Sequence, residues 1–511
     1  MPMPAPTSSP TTHDPTPPRT EAAEPDPHAQ RYDEVPYPNL VHGRSHPRTT
    51  GAIAALFGIA PPDPTTARVL DLGCAAGMNI LAMAADSPTA RFLGVDISEA
   101  QIAAGNQMIA DLGLDNIAFR CASFADLDDL PDASFDYIIC HGVFSWVAPA
   151  LRDVILALVS RLLAPGGLAF VSYNTYPGWH FGNIVRDLML REMDPNAPPL
   201  ERVHSARKTL ERHLDASEDK SLRRALLMAE RESLVDHSDS YLFHEYLTPE
   251  HHPLWFKDFA ALAERHGLAY VADALPGIVL PSTQDGRLAL LLDALPDHER
   301  HDPIAQQQAI DEHLNNRFRR SILVKRPAAP ALSLDPTLLS RLHVRLPREH
   351  ILIREPGGPL SVRDRRSRLI PIHLPAAVAA LESLRTASPA SVPMTTLCDP
   401  SDLASRPLLG TLVGLVFAEV LDVTLAPIRC ATHVPSHPAV PRLNRYQARR
   451  GDPIASRLFV SELVGELGAM LISRLDGSRS FDELVSELGA SRERIDTLLK
   501  SFVERAILLP P

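Results

Sequence analysis

The sequence predicts an α/β fold: an open sheet with a helical insertion, followed by winged-helix-like α+β domains. Two observations carry this prediction. From about residue 68 to residue 173, short apolar runs alternate with segments of helical periodicity, as in consecutive βαβ units. Beyond Pro327 the apolar runs shorten and helical segments follow one another, which favours separate smaller domains. A chain of 511 residues is also too long for a single hydrophobic core.

Composition narrows the classes of function. Lys and Arg number 50 against 62 Asp and Glu, and a net charge of −12 argues against nucleic-acid binding. Five scattered cysteines indicate a reducing compartment, and the histidines at 244–252 lack ligand spacing, so we expect no metal site. The apolar stretch Leu409 to Pro427 is interrupted by Glu419 and Asp422, which predicts a buried helix. We therefore expect a cytoplasmic protein without a membrane span.

Four segments are predicted along the chain. Residues 1–30 are rich in Pro, Thr, Ala and Glu without periodicity, which predicts a disordered tail. Residues 31–327 are expected to form the sheet domain, with a charged helical insertion at about 181–266. Few apolar positions occur in that insertion, which favours packing against a partner such as a second copy. Residues 328–430 and 431–511 each predict the helix and strand order of a winged-helix-like domain.

The stretch Val69 to Asn79 predicts a strand, a tight turn and a helix around which the sheet domain is organised. Gly73 and Gly77 allow the backbone to pass close beneath a ligand, while Ala75 leaves less room. Asp96 ends the next strand about 20 residues later, where an acid accepts hydrogen bonds from a ribose diol. The pattern indicates a site for a nucleotide-type cofactor.

Asp71 helps to choose among such cofactors. A dinucleotide site uses G-x-G-x-x-G and presents a helix N-terminus to pyrophosphate. The glycine spacing differs here, and an anion at position 71 repels pyrophosphate but suits a cofactor with a cationic amino-acid end, such as S-adenosylmethionine. The alternative is an ordinary strand–turn–helix that needs glycines only for its turn. Asp71 and Asp96 together favour cofactor binding.

Later strands are expected to contribute further residues, because ligands bind beyond the carboxyl ends of strands in open α/β sheets. After the third strand, Phe124 is placed to stack on an adenine ring and Ser123 to bond its edge. The fourth strand leads into His141. The fifth, Leu168 to Tyr173, leads into an aromatic loop at 174–180 that predicts a substrate wall.

Two tyrosines precede the sheet on a segment stiffened by proline, Tyr32 and Tyr37. Two interpretations stay open for them. The rings either pack against the edge of the sheet or form the walls of a strap over the pocket.

These motifs resemble those of class I S-adenosylmethionine-dependent methyltransferases, through the loop at 71–77, Asp96, and the strand that ends at Cys140–His141. More narrowly, YDEVPYP, DLGCAAGMN, CHGVFSWV, SYNTYPGWH and YLFHEYL are similar to bacterial methyltransferases with a methyltransferase regulatory domain, a group that includes rickettsial-type protein lysine methyltransferases. Two departures stand out. Ser123 occupies a position where the superfamily often has Asp, and no Asn-Pro-Pro-Tyr signature follows the fourth strand, which disfavours amide and adenine methyltransferases.

The resemblance implies a Rossmann-like class I methyltransferase sheet, a dimerisation role for the helical insertion, and an accessory C-terminal part. S-adenosylmethionine is the expected cofactor. The residues expected to bind it are Tyr32, Asp71, Gly73, Cys74, Ala75, Gly77, Asn79, Asp96, Ile97, Gln101, Ser123, Phe124 and His141.

The expected reaction is methyl transfer to a protein lysine. An aromatic, partly desolvated pocket lowers the pKa of the amine and favours its nucleophilic form. The catalytic candidates are His141, Tyr173, Asn174 and Trp179. His141 or Asn174 would orient the amine, and His141 would also accept its proton. The alternatives are a small-molecule O- or N-methyltransferase and a non-catalytic, cofactor-binding interaction protein.

Overall fold

The computed structural model describes residues 34–511, except 36, 236, 280–285, 355–357 and 365–367. The predicted tail at 1–30 and Tyr32 lie outside the described residues. Within this part of the chain, no helix combines the length and the apolarity that crossing a bilayer requires.

An eight-stranded sheet forms the centre of the first 325 residues. Its strands are β1 (Arg68–Leu72), β2 (Arg91–Asp96), β3 (Ile117–Cys121), β4 (Phe135–Cys140), β5 (Leu163–Tyr176), β6 (Leu254–Trp255), β7 (Leu268–Asp273) and β8 (Phe318–Lys325). The order across the sheet is β3-β2-β1-β4-β5-β8-β7, with β6 paired to the end of β5. Strand β8 is antiparallel to both of its neighbours. The predicted α/β class and the Rossmann-like sheet are confirmed.

Four helices cover the first part of the sheet: α1 (Pro47–Leu56), α2 (Met78–Asp86), α3 (Glu99–Leu112) and α4 (Pro149–Leu162). Alternate side chains of β1 point to opposite faces. Val69 packs in a core with residues of α1 and α2, and Leu70 packs in a second core with residues of α4. Helix α3 begins after Ser98, whose side chain accepts a hydrogen bond from the backbone N–H of Gln101, as the S-x-x-Q motif predicts.

Strand β5 is longer than the predicted Leu168–Tyr173. Its end continues beside β8, where Asn174 pairs with Phe318, and then beside β6. Asn174 therefore lies in a strand, and the aromatic loop expected at 174–180 is wrong, because the strand runs to Tyr176 and a helix begins at Gly178.

The helical insertion contains α5 (Gly178–Glu192), α6 (Pro199–Asp215), α7 (Leu222–Leu234) and α8 (Asp239–Tyr246). Its apolar side chains form a core of their own, which includes Leu210, Leu227 and Phe243. The expectation of too few apolar positions is wrong, because apolar residues of all four helices pack together in this core. Helix α9 (Phe256–Arg265) returns to the sheet, where Phe259 is fully buried.

Three helices separate β7 from β8: α10 (Gly286–Asp293), α11 (Asp297–Arg300) and α12 (Pro303–Leu314). Short 3₁₀ turns also occur at Phe124–Asp126, Pro276–Ile278 and Leu403–Ser405. A buried ion pair ties α12 to the sheet. Nη2 of Arg319 on β8 lies 2.8 Å from Oδ1 of Asp311, and neither side chain is exposed.

The middle region contains α13 (Pro336–Leu339), β9 (His343–Arg345), β10 (Ile351–Arg354), β11 (Leu360–Arg363), β12 (Leu369–Ile372), α14 (Pro375–Ala387), β13 (Val392–Pro393), α15 (Met394–Leu397), α16 (Arg406–Phe417) and β14 (Asp422–Thr424). Its strands form two small sheets, β10-β11-β12 and β13-β9-β14. Leu412 and Val423 share one core with Ile53 of α1, so the core continues across the predicted boundary at 327.

The last region contains α17 (Arg442–Arg450), β15 (Ile454–Ala455), β16 (Ser461–Glu462), α18 (Glu466–Ile472), α19 (Phe481–Leu488) and α20 (Arg492–Glu504). Helix α19 begins with a capping box formed by Ser480 and Glu483. A separate core holds Leu484 and Leu499. The winged-helix-like assignment of 328–430 and 431–511 stays a prediction.

The buried ion pair gives a first test. We expect Asp311→Asn to lower the free energy of unfolding by about 3–5 kcal/mol, because it leaves the Arg319 charge buried without its partner. The matched control is Glu264→Gln, which breaks an exposed pair with Arg326 and should cost less than about 1 kcal/mol. Denaturant unfolding followed by circular dichroism measures both, and equal losses would contradict the prediction.

Candidate active site

A cavity of about 380 Å³ lies beyond the carboxyl ends of β1, β2 and β4. This is the edge at which open α/β sheets bind ligands. Eleven of the residues expected to bind the cofactor line it: Asp71, Gly73, Cys74, Ala75, Asn79, Asp96, Ile97, Gln101, Ser123, Phe124 and His141. Their roles towards a cofactor remain proposals, and Tyr32 lies outside the described residues.

The loop after β1 is held in an unfavourable conformation by Asp96. Ala75 has a φ of 51°, in the left-handed region that non-glycine residues seldom adopt. Its backbone N–H donates a hydrogen bond of 2.8 Å to Oδ2 of Asp96, and the N–H of Ser98 donates one of 3.0 Å to Oδ1. Each carboxylate oxygen keeps acceptor capacity, which suits a ribose diol.

Gly73 is required by close packing in the same loop. Its φ is +78°, and a Cβ atom would lie 2.3 Å from Cγ2 of Val143. The loop therefore approaches the chain after β4 more closely than any side chain permits, and both segments face the cavity.

Asp71 lies buried in the floor of the cavity, with 3% of its side chain exposed. Burial, and then the charge of Asp96, raises its pKa to about 7, against the lowering effect of a hydrogen bond with Asn79. No Lys or Arg occurs among the described residues that line the cavity. The acids are therefore not neutralised by side chains of the cavity, which favours a cationic ligand.

A segment before α1 crosses the cavity. Tyr37 and His42 line it, the Asn39 side chain accepts a hydrogen bond from the N–H of Met78, and the Asn79 side chain accepts one from the N–H of His42. This placement favours the strap interpretation of Tyr37 over packing at the sheet edge.

His141 lines the cavity, where its ring contacts neighbouring side chains. Its Nδ1 lies 2.8 Å from Oγ of Ser172, and its ring centroid lies 4.1 Å from that of His42. Burial, followed by the influence of His42 and Arg320, lowers the pKa of His141 well below its ordinary value. The imidazole is therefore neutral near pH 7 and a weaker base than usual, and its role as a proton acceptor stays a prediction.

Gly77, in contrast to the eleven residues named above, does not line the cavity. Its φ is +80°, and a Cβ atom would lie 2.0 Å from Cζ of Phe119. The absence of a side chain at position 77 makes room for this aromatic ring beneath the loop.

Two aromatic candidates also lie away from the cavity. Tyr173 is buried on the face covered by α9, where its ring stacks 4.1 Å from Phe259 and its hydroxyl lies 3.0 Å from Oγ of Ser321. Trp179 is buried with its ring centroid 4.2 Å from that of His251 and beneath the guanidinium of Arg317. Neither residue lines the cavity, so the structure does not support the catalytic roles predicted for Tyr173 and Trp179.

Asn174 lies one layer behind the cavity and contacts a residue that the sequence did not single out. Its side chain forms a hydrogen bond of 3.0 Å with Nε2 of His251 and acts on the pKa of Glu245. Glu245 and His244, both on α8, line the cavity. The available signal was the segment YLFHEYL, which places one acid within an otherwise aromatic and apolar run.

Burial raises the pKa of Glu245 to about 7, although Asn174, Arg317 and Arg186 all act to lower it. Trp146 also lines the cavity and stacks 4.8 Å from the ring of His251. The cavity thus has an acid and an aromatic wall in addition to the two aspartates of the sheet.

Comparison with known proteins adds family information. A family model described as a methyltransferase domain matches residues 65–208, and one described as a predicted methyltransferase regulatory domain matches residues 238–325. The uncharacterized protein RP028 of Rickettsia prowazekii is 37% identical over 46% of this chain and 94% of its own length. RP789 of the same organism is 36% identical over 57% of this chain and 52% of its own length, so the chain spans about half of that relative.

Among solved structures, PKMT2 from Rickettsia typhi has the same fold. It superposes with a TM-score of 0.79 and 24% identity, covering 92% of this chain and 100% of PKMT2. A structure of PKMT2 in complex with AdoHcy gives a TM-score of 0.78, covering 93% of this chain and 100% of that one.

The raised pKa of Asp71 predicts how cofactor binding depends on pH. A cationic ligand that needs the carboxylate must displace a proton below pH 7, so affinity for S-adenosylmethionine should be roughly 20-fold weaker at pH 5.5 than at pH 7.5. Asp71→Asn should bind more weakly and lose this dependence. The control Asp126→Asn, at an exposed position outside the cavity lining, should keep it. Calorimetry measures the affinity at each pH, and a wild-type affinity that does not change with pH would refute the role of Asp71.

Proposed function

Because the chain belongs to the class I S-adenosylmethionine-dependent methyltransferases that carry a methyltransferase regulatory domain, we propose that it methylates lysine side chains of proteins. The supporting observation is a cavity with three carboxylates, Asp71, Asp96 and Glu245, and no Lys or Arg among its described lining residues. Such a cavity selects positively charged ligands.

The residues present fit the cofactor. Asp71, Gly73 and Ala75 would hold its amino-acid end, Asp96 its ribose, and the pair after β3 its adenine. S-adenosylmethionine supplies a methyl group bonded to a positively charged sulfur, which is already an activated leaving group. The protein then has to position the nucleophile and exclude water.

A lysine acceptor is supported by the chemistry of the remaining walls. Trp146 lines the cavity with an aromatic ring that would help to desolvate an amine, and Glu245 adds a negative charge there. The wall at Glu245 belongs to α8 of the helical insertion, so an acceptor meets the insertion as well as the sheet domain. A protein presenting a side chain suits this arrangement of domains.

We also propose a homodimer through the insertion and a cytoplasmic location. The insertion exposes large apolar side chains, with Leu222 at 75%, Val235 at 68% and Leu200 at 57% exposure. Apolar side chains at such exposure favour contact with another surface. All five cysteines are free thiols, as in proteins of a reducing compartment.

The function is tested by transfer of isotope-labelled methyl groups from S-adenosylmethionine into a fractionated lysate. We expect label in proteins, recovered as methyl-lysine after hydrolysis. Asp96→Ala should bind the cofactor about 10- to 100-fold more weakly, because it removes a charged hydrogen-bond acceptor, and should transfer correspondingly less. Asp126→Ala serves as its control.

Two results would point to the alternatives. Label confined to small molecules would support a small-molecule O- or N-methyltransferase. Tight cofactor binding without transfer to any fraction would support a non-catalytic interaction protein.

A further inference from the structure

We propose that Glu245 binds the ammonium group of the acceptor lysine and takes its proton before methyl transfer. This inference rests on the proposed function and specifies the acceptor side of the same cavity. It assigns a catalytic role to α8, a helix of the insertion that lies within the match to the regulatory domain.

The contacts of Glu245 leave its charge available to the cavity. Its carboxylate lies close enough to Asn174 for that amide to lower its pKa, and no ion pair joins it to another described residue. The two nearby cations are engaged elsewhere. Arg317 pairs with Glu230 at 2.9 Å, and the guanidinium of Arg186 donates to three backbone carbonyls, those of Tyr246, Thr248 and Pro249.

The presence of three acids in the cavity also indicates a second cationic ligand besides the cofactor. Asp71 and Asp96 belong to the two loops that would hold the cofactor, at the ends of β1 and β2. Glu245 enters from a different element, and the cofactor chemistry assigns it no task. A third carboxylate at a half-buried position is unfavourable unless a cation neutralises it, and an acceptor ammonium does so.

The side chains of Asn174 and His251 connect the surroundings of Glu245 to Trp146. Asn174 donates to Nε2 of His251, which requires a neutral imidazole with a free lone pair at that atom. Burial, and then Arg186, lowers the pKa of His251 to about 3, so the ring is neutral. The same ring stacks on Trp146. A carboxylate and an aromatic face held in this way form a binding site for an organic cation.

The proposed proton transfer from the ammonium group to Glu245 needs no further reactant. The N–H bond of the ammonium breaks, its electron pair stays on nitrogen as the nucleophilic lone pair, and an O–H bond forms on Glu245. A carboxyl with a pKa raised to about 7 exchanges its proton with water near neutral pH. Partial desolvation lowers the amine pKa from its reference value of about 10.4, which reduces the mismatch.

The raised pKa of Glu245 also predicts how the stability of the protein without ligands depends on pH. The charged and titratable groups around Glu245 are Arg186, Tyr241, His244, His251 and Arg317. Its folded pKa of about 7 exceeds the unfolded value of about 4.3, so stability falls as pH rises between these values and stays low above them. Glu245→Gln removes this loss and should be more stable than wild type at pH 8. A purely structural role predicts the opposite sign.

The experiment compares Glu245→Gln with Glu232→Gln, the same substitution at an exposed position of the insertion. We expect both to bind S-adenosylmethionine like wild type by calorimetry. Labelled methyl transfer to lysine in lysate proteins should fall about 100-fold in Glu245→Gln only. Asn174→Leu should move the acid limb of the wild-type pH profile to higher pH, because it removes the amide that lowers the pKa of Glu245.

The possible outcomes distinguish this inference from the proposed function on which it rests. If wild type methylates lysine and Glu245→Gln does so equally well, the role of Glu245 is refuted and the function stands. A Glu245→Gln protein that is less stable than wild type at pH 8 also refutes it. If wild type binds the cofactor but methylates hydroxyl or carboxyl groups, or nothing, the function and this inference fall together.

Discussion

The carboxylate of Asp96 determines the shape of the cavity. By accepting the N–H of Ala75 and that of Ser98, it holds the β1 loop in a left-handed conformation and joins that loop to the start of α3. The same charge acts on Asp71 across the loop, and with burial it keeps the pKa of that carboxyl near 7. One side chain therefore fixes the backbone of the site and adds to the effect of burial on the pKa of Asp71. A cationic ligand relieves the repulsion between the two acids, which links the strained loop to the charge of what it binds.

The part of the site formed by the loops after the sheet strands, the sheet half, could be predicted from the sequence because its signals are local. A strand, a turn and a helix are adjacent in the chain, so the acids at 71 and 96 and the small residues between them can be placed at one edge by strand periodicity and length. Phe124 and Ser123 follow by the same reasoning. The sequence could not separate the two tasks of glycine, however. Gly73 faces the cavity, whereas Gly77 makes room for Phe119, which is more than 40 residues away in the chain and invisible to local patterns.

The wall at Glu245 and Trp146, where we propose that the acceptor binds, could not be predicted. The chain brings this acceptor half of the site together from distant elements. Tyr173 and Asn174 are neighbours in β5, yet strand alternation sends the tyrosine to the α9 face and the asparagine toward Glu245. Aromatic density around position 176 suggested a substrate wall, and the structure uses Trp179 to support His251 behind the cavity. An acid in the apolar run at 241–247 was the true signal. Its meaning depends on where α8 packs, which periodicity does not reveal.

The division between the two halves has a physical reason. The sheet edge supplies backbone turns and two acids that suit a cofactor of constant structure, but its other polar side chains are neutral or engaged, as His141 is with Ser172. A third acid would be costly in the same sheet layer, where Asp71 is already buried and where burial and the charge of Asp96 already raise its pKa to about 7. Helix α8 belongs to an insertion with its own core, so it can place Glu245 at the cavity without disturbing the packing of the sheet. An acceptor site on the insertion can therefore change in sequence while the cofactor site stays the same.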